Sequence, residues 1–460
     1  MDSNTLTTAQ RLSDLGKLDK AIALLEPHLC PPFTALNDLQ CSALFTLSGL
    51  YLTVERFNEG EALVKAALTV ASPEHHSDLY RRLSHFYEAR GHTQKAAEMR
   101  EKTAQAEELL TDPGSRAFAR VIRLSQEHDP DRTYAATLEA LEALPDDRVA
   151  VPGMLAMAAA SAFDSGRDSD AWSWASKALV HRNATADHKT DAMRIKALVF
   201  GVQGRSDEAL DRLKEATYLA RQGADWHSVV QVALQTSRGL LLRGRVGLAE
   251  ELAREVEDAL PYARARALSL RVTCACVRGA HDEADALLEE AIAATRKRAT
   301  TLAARISLDL AREDYQQALK HTNEQLRALG GRGKYLTRLG RVSILWHMGQ
   351  EAKAQEEATE LRAQGGESAS QEQRAALARM EARLASLQGD WQTGAAQWKN
   401  VLRLEPHPIN QPENWVMLGD CYGKLGESSA ARFAWERAAA LPVESIWVRR
   451  ANERLELSES

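Results

Sequence analysis

Aromatic residues make up only 6% of this 460-residue chain, and proline occupies 13 positions beside 26 glycines. So little proline and glycine excludes collagen-like or linker-dominated sequence. Cysteine is scarce too: Cys30, Cys41, Cys274, Cys276 and Cys421 are odd in number and scattered. That fits reduced thiols better than a disulfide framework, and the two-residue step from Cys274 to Cys276 does not put two ligands on one helix face. No apolar run reaches about 18 residues, so no membrane span is expected. The segment around Asp2 lacks the apolar stretch of a leader, which makes the cytoplasm the expected compartment. Neither sign of charge dominates, since 58 Lys+Arg stand against 64 Asp+Glu for a formal net charge of −6. With few aromatics for base stacking, that balance disfavours nucleic acid as a partner.

Catalytic patterns are missing in the same way. Gly330-Gly331-Arg332-Gly333-Lys334 approaches a phosphate loop, yet the pattern needs Gly at Ala328 and Ser or Thr at Tyr335. His75-His76 and His281 lack the spacing of a helical metal site. There is no G-x-S-x-G, H-E-x-x-H or C-x-x-C. The expectation is therefore no enzyme, no metal and no cofactor. Strand signals are also thin, without alternating β-branched runs or Asn-Gly hairpin turns.

What is present is 44% hydrophobic residues, enough for a buried core, arranged in a repeat. A turn residue is followed five positions later by a small residue at Gly16/Ala21, Glu55/Gly60, Gly91/Ala96, Gly166/Ala171, Gly204/Ala209, Gly244/Ala249, Gly279/Ala284, Glu313/Ala318, Gly349/Ala354, Gly389/Gly394 and Gly426/Ala431. A weaker copy at Pro130/Ala135 divides the one long interval, giving twelve units. Within 191–220, Met193, Ile195, Ala197, Leu198 and Phe200 mark a first helix. Gly204 lets the chain reverse, and Ser206 and Asp207 are placed to cap a second helix whose apolar positions are Ala209, Leu210, Leu213, Ala216 and Tyr218. Each unit reads as a helical hairpin, with the small residue where the two helices come closest.

The unit 414–442 resembles the tetratricopeptide repeat family through Trp415, Leu418, Gly419, Tyr422, Gly426, Ala431, Trp435, Ala438 and, one place early, Pro442. The preceding unit keeps Gly389, Trp398 and Pro406, with Gly394 where alanine is usual, and earlier units keep little beyond the turn and the small residue. The resemblance implies an all-α, right-handed superhelical solenoid of antiparallel helix pairs. The expected divisions are 1–110, 115–364 and 370–442 as three runs of repeats, with 443–460 as a capping helix and tail. The segments 111–115 and 364–370 are either hinges or long inter-repeat loops.

Charge is segregated in the middle of the array. Arg238, Arg243, Arg245, Arg264, Arg266, Arg271, Arg278, Arg332, Lys334, Arg338 and Arg341 lie on three first-helix stretches that hold no Asp or Glu, while the three following stretches are strongly acidic. Two explanations stay open: a basic groove for a carboxylate-bearing partner, because arginine forks grip carboxylates in pairs, or ion pairs between neighbouring helices. The resemblance implies that first helices line a concave groove, making Arg194, Arg238, Arg266, Arg338, Trp346, Arg379, Arg383 and Phe163 the candidate groove residues. It also implies a non-enzymatic scaffold or adaptor that holds another protein or peptide, such as an acidic segment. The alternative is a sensor or regulator, like bacterial regulators of this repeat type, that acts through a partner.

Overall fold

The turn residues picked out by the repeat share one unusual backbone conformation. In the computed structural model Glu55, Gly91, Gly166, Gly204, Gly244, Gly279, Glu313, Gly349, Gly389 and Gly426 all have φ between 60° and 82°. A left-handed residue after a helix folds the chain back and satisfies the last carbonyls; glycine adopts it without a Cβ clash. At Gly279, for example, the backbone N–H reaches the Ala275 and Cys276 carbonyls. The structure describes every residue except 15–16, 128, 146–149, 224–225, 260–262, 296–297, 365–368 and 460. The turn assigned to Gly16 and most of the segment 364–370 thus lie outside the described residues.

Among the described residues there are twenty-five α-helices and no strand. They pack in successive pairs, Ser3–Asp14 with Leu18–Leu25 through to Gln411–Lys424 with Ser428–Ala439, and one further helix, Ile446–Glu459, follows. The small residue of each unit is the fourth residue of the second helix and is buried, as at Ala96, Ala171, Ala249, Ala284 and Ala354. Pro130 corrects the pattern. Its helix, Pro130–Ala143, begins directly at the proline with Asp129 as cap, so the fourth residue is Thr133, buried at 3% exposure, while Ala135 faces solvent. Ser206 and Asp207 likewise fall inside the first turn of helix Ser206–Gly223, where Asp207 complements the helix dipole.

Two units of packing divide the chain: Met1–Ala158 with Val180–His188 and Leu219–Val229, and Ala159–Leu179 with Lys189–Tyr218 and Val230–Ser460. In the first, Leu44, Leu47, Val64, Leu79 and Phe86 build a continuous core across consecutive pairs. Its 111–115 segment carries the Asp112 cap of helix Pro113–Gln126, and Arg123 Nε donates to Glu107 across it at 2.9 Å. In the second, the largest buried side chain is Trp398, whose Nε1 donates to Ser386 Oγ at 3.3 Å within a cluster of Ala378, Ala382, Leu418 and Cys421. Gly419 is required by its neighbour, because a Cβ there would stand 2.4 Å from Trp435 Nε1.

The second unit also brings together residues far apart in the chain. Arg332 pairs with Asp168, and Cβ atoms placed on Gly204, Gly244 and Gly279 would lie 3.2 Å from Pro406 Cβ, 2.9 Å from Val443 Cγ2 and 3.0 Å from Ile446 Cδ1. At Gly349, Gly389 and Gly426 the same Cβ meets nothing within 4 Å. The turns at Gly204, Gly244 and Gly279 are therefore covered by later segments of the unit, while the earlier turn at Gly166 is open. No helix of the described residues is long and apolar enough to cross a membrane.

Candidate functional site

A cavity of about 1120 Å³ lies inside the second unit. Its walls are helix faces read at three- and four-residue steps: Thr273, Cys276 and Val277; Ser307, Leu310 and Ala311; Gly340, Ser343, Ile344 and His347; Arg383, Ser386 and Leu387; Glu413, Met417, Asp420 and Lys424. Those residues belong to the first helices of five consecutive pairs, Arg264–Arg278, Leu302–Ala311, Gly331–His347, Gln371–Leu387 and Gln411–Lys424. The stepping places each set on one helical face, so stacking the pairs aligns five faces on one hollow. Helix Ile446–Glu459 supplies a further wall through Ile446, Trp447, Arg450 and Arg454, and Trp391 and Trp435 complete an aromatic side.

The chemistry of the walls is mixed. Arg383 pairs with Glu413 and Arg454 Nε donates to Asp420 Oδ1 at 3.1 Å, beside the 3.2 Å bond from Trp435 Nε1 to the same oxygen. Burial alone would raise the Glu413 carboxyl, but Arg383 and Arg379, with Arg450 further out, hold it below the usual range. His347 stacks on Tyr315 with ring centroids 4.1 Å apart. Its pKa is lowered by burial and by Arg383, which favours the neutral ring at pH 7. Burial pushes the Cys276 thiol up to about 11, the opposite of what a nucleophilic cysteine needs. These walls can bind and orient a ligand through apolar area and a few charged groups.

Of the eight candidate groove residues, Arg383 lines this cavity. Arg379, one turn earlier, is 19% exposed and pairs with the buried Glu405. Arg338 Nε donates to Glu357 Oε1 at 2.9 Å, and the guanidinium also pairs with Glu360. It borders a separate polar recess of about 400 Å³ with Arg341 and Glu356. Arg266 donates to Gln231 Oε1 at 2.8 Å, and Arg194 pairs with Asp191 on its own helix at 3.3 Å. Arg238 is exposed, and its field helps to lower the Glu372 carboxyl. Trp346 packs, partly buried, against a core cluster that includes Leu339, Leu361 and Leu384. Phe163 is buried beneath the Arg332 guanidinium, 4.2 Å from its ring centre. The segregated charges also meet one another: Arg271 pairs with Glu257 at 2.7 Å, Arg264 with Glu290 at 3.0 Å, Arg278 with Glu283 at 3.0 Å and Arg341 with Glu357 at 2.7 Å.

Sequence reasoning missed Trp391, Met417, Trp435, Trp447, Arg450 and Arg454. The stripe Glu413, Met417, Asp420, Lys424 is a readable signal for one wall, but nothing local ties helix Ile446–Glu459 to the same hollow. Elsewhere, Asp38, Glu74 and His75 in the first unit offer ligand atoms within 4.8 Å of one another, with Asp38 and Glu74 exposed. His75 Nε2 stands 3.4 Å from Asp38 Oδ1.

No protein-family model and no curated protein sequence matches the chain. Among solved structures it is similar to the "Crystal structure of APC/C hetero-tetramer Cut9-Hcn1", with a TM-score of 0.62 over 99% of this chain and 83% of that one, at 13% identity. The fold is a helical repeat array. At that identity the likeness speaks for fold alone, and it agrees with the succession of helix pairs and left-handed turns.

Proposed function

We propose that the chain is a non-enzymatic binding scaffold of tetratricopeptide type, and that the cavity of its second unit holds a segment of another protein. The observation that carries this reading is the alignment of five first-helix faces, with Trp391, Trp435 and Trp447, around one hollow of about 1120 Å³. That volume exceeds the roughly 300 to 1,000 Å³ of small-ligand sites, and aromatic anchors beside a few charged groups characterise protein-binding surfaces. The repeat resemblance supports the same reading, as does the similar solved structure, which by its title is a hetero-tetramer.

Gly340 supplies the test. It lines the cavity, and a Cβ built there meets nothing within 4 Å. Gly340→Trp therefore fills the hollow without crowding the helix. Affinity capture from native lysate with wild-type chain should retain a partner that the variant loses, at an unchanged melting temperature. Retention of the same partner by a folded Gly340→Trp chain would refute the cavity as the binding surface.

A further inference from the structure

The charged wall residues of the cavity are not all matched. Arg383 is committed to Glu413 and Arg454 to Asp420. Arg450, from helix Ile446–Glu459, is half-buried in the same wall and makes no ion pair with the described residues. Its guanidinium lies 4.5 Å from the centre of the Trp447 ring, which fixes the fork over an apolar plate. The acids on the wall are Glu313, Glu413 and Asp420, against Arg383, Arg450, Arg454 and the rim residue Lys424, so the hollow carries surplus positive charge. A half-buried guanidinium has lost part of its hydration, and a carboxylate that meets both prongs replaces what was lost.

From this arrangement we infer that Arg450 is the anchor of an acidic peptide site: the cavity takes a segment in which an Asp or Glu side chain adjoins a bulky apolar residue. The carboxylate docks on the Arg450 fork and the apolar side chain on the Trp391, Met417 and Trp447 surface. This rests on the proposal that the cavity binds a protein segment, and it names that segment's chemistry. A purely apolar helix would leave the Arg450 fork without a carboxylate in contact, and a basic segment would meet like charge.

A random heptapeptide library, displayed with both ends blocked by the carrier so that no free terminal carboxylate is presented, tests it against the full-length chain. Selection should enrich Asp or Glu beside Trp, Phe, Leu or Met. The leading peptide, synthesised with blocked ends, should bind Arg450→Gln at least about tenfold more weakly than wild type, the size expected for a lost charge-assisted contact. Changing its acid to the amide should cost about as much with wild type and little further with Arg450→Gln. Binding should also weaken as salt rises. Thermal melts of Arg450→Gln and of Arg450→Lys, which keeps the charge without the fork, establish that the fold is intact. Peptides without an acid, no enrichment, or equal binding by folded Arg450→Gln overturns the inference. Gly340→Trp separates the two levels: if it abolishes binding while Arg450→Gln does not, the cavity stands and the anchor falls. If enriched peptides bind Gly340→Trp normally, the cavity reading itself falls.

Discussion

Arg332 donates through Nη2 to the carboxylate of Asp168, a residue 164 positions earlier in the chain. Arg332 is 6% exposed, its guanidinium covers the Phe163 ring, and Asp164 lies within its field. A buried cation thus pairs with Asp168 and joins distant parts of the second unit.

Replacing Arg332 by Met keeps the apolar stem and strands the half-buried Asp168. The expected loss is about 3 to 5 kcal/mol, as for breaking a buried pair from one side. Burial raises Asp168, and Arg332 only partly offsets this. A carboxyl raised in the folded state destabilises the fold above its folded pKa and is relieved as pH falls through it. The deficit of Arg332→Met, measured by urea unfolding, should therefore shrink on acidification from pH 7 toward the ordinary Asp range near 3.8.

The segregated arginines should divide by environment when reversed. Arg338→Glu removes one of the two arginines that hold Glu357, which is 6% exposed, leaves it to Arg341 and sets like charges together, so a loss of about 2 kcal/mol or more is expected. Arg238→Glu, on an exposed position, should change stability by less than about 0.5 kcal/mol. Comparable denaturation midpoints for the two variants would contradict the buried ion-pair role of Arg338.

Removing residues 443–460 should do more than shorten the array. It uncovers the Gly244 and Gly279 turns, where Val443 and Ile446 pack, and strips the Trp447 wall from the cavity. The expected result is lower solubility and a lower melting temperature. Unchanged values would show that these contacts carry no stability.

Gly419→Ala probes the closest helix approach of the pair Gln411–Lys424 and Ser428–Ala439. With its Cβ 2.4 Å from Trp435 Nε1, the ring must shift and weaken its bond to Asp420. A cost of about 1 to 3 kcal/mol is expected by thermal or chemical denaturation, against the slight gain that Gly→Ala brings in an open helix.

Local order was legible because it is local. The left-handed turns at Gly204, Gly244 and Gly279, and the buried alanines five residues later, follow from what a reversing chain and two touching helices demand of single residues. Even there Pro130 misled, because the proline begins its helix directly after the Asp129 cap, which puts the buried fourth position at Thr133. The charge pattern was visible, and which acid each arginine meets was not. Arg338 and Glu357 differ by 19 positions, a pairing set by how two neighbouring helices rotate against each other.

By itself the sequence determined the all-α pairing, the turn positions, the small contact residues and the segregation of charge, since each depends on backbone conformation or helical period within one unit. Only the tertiary structure decided that Asp168 reaches Arg332, that Val443 covers Gly244, and that Arg450, Met417 and Trp391 line one hollow. The physical reason is accumulation. Each pair is turned slightly on the one before it, and small rotations summed over several pairs decide which distant residues meet.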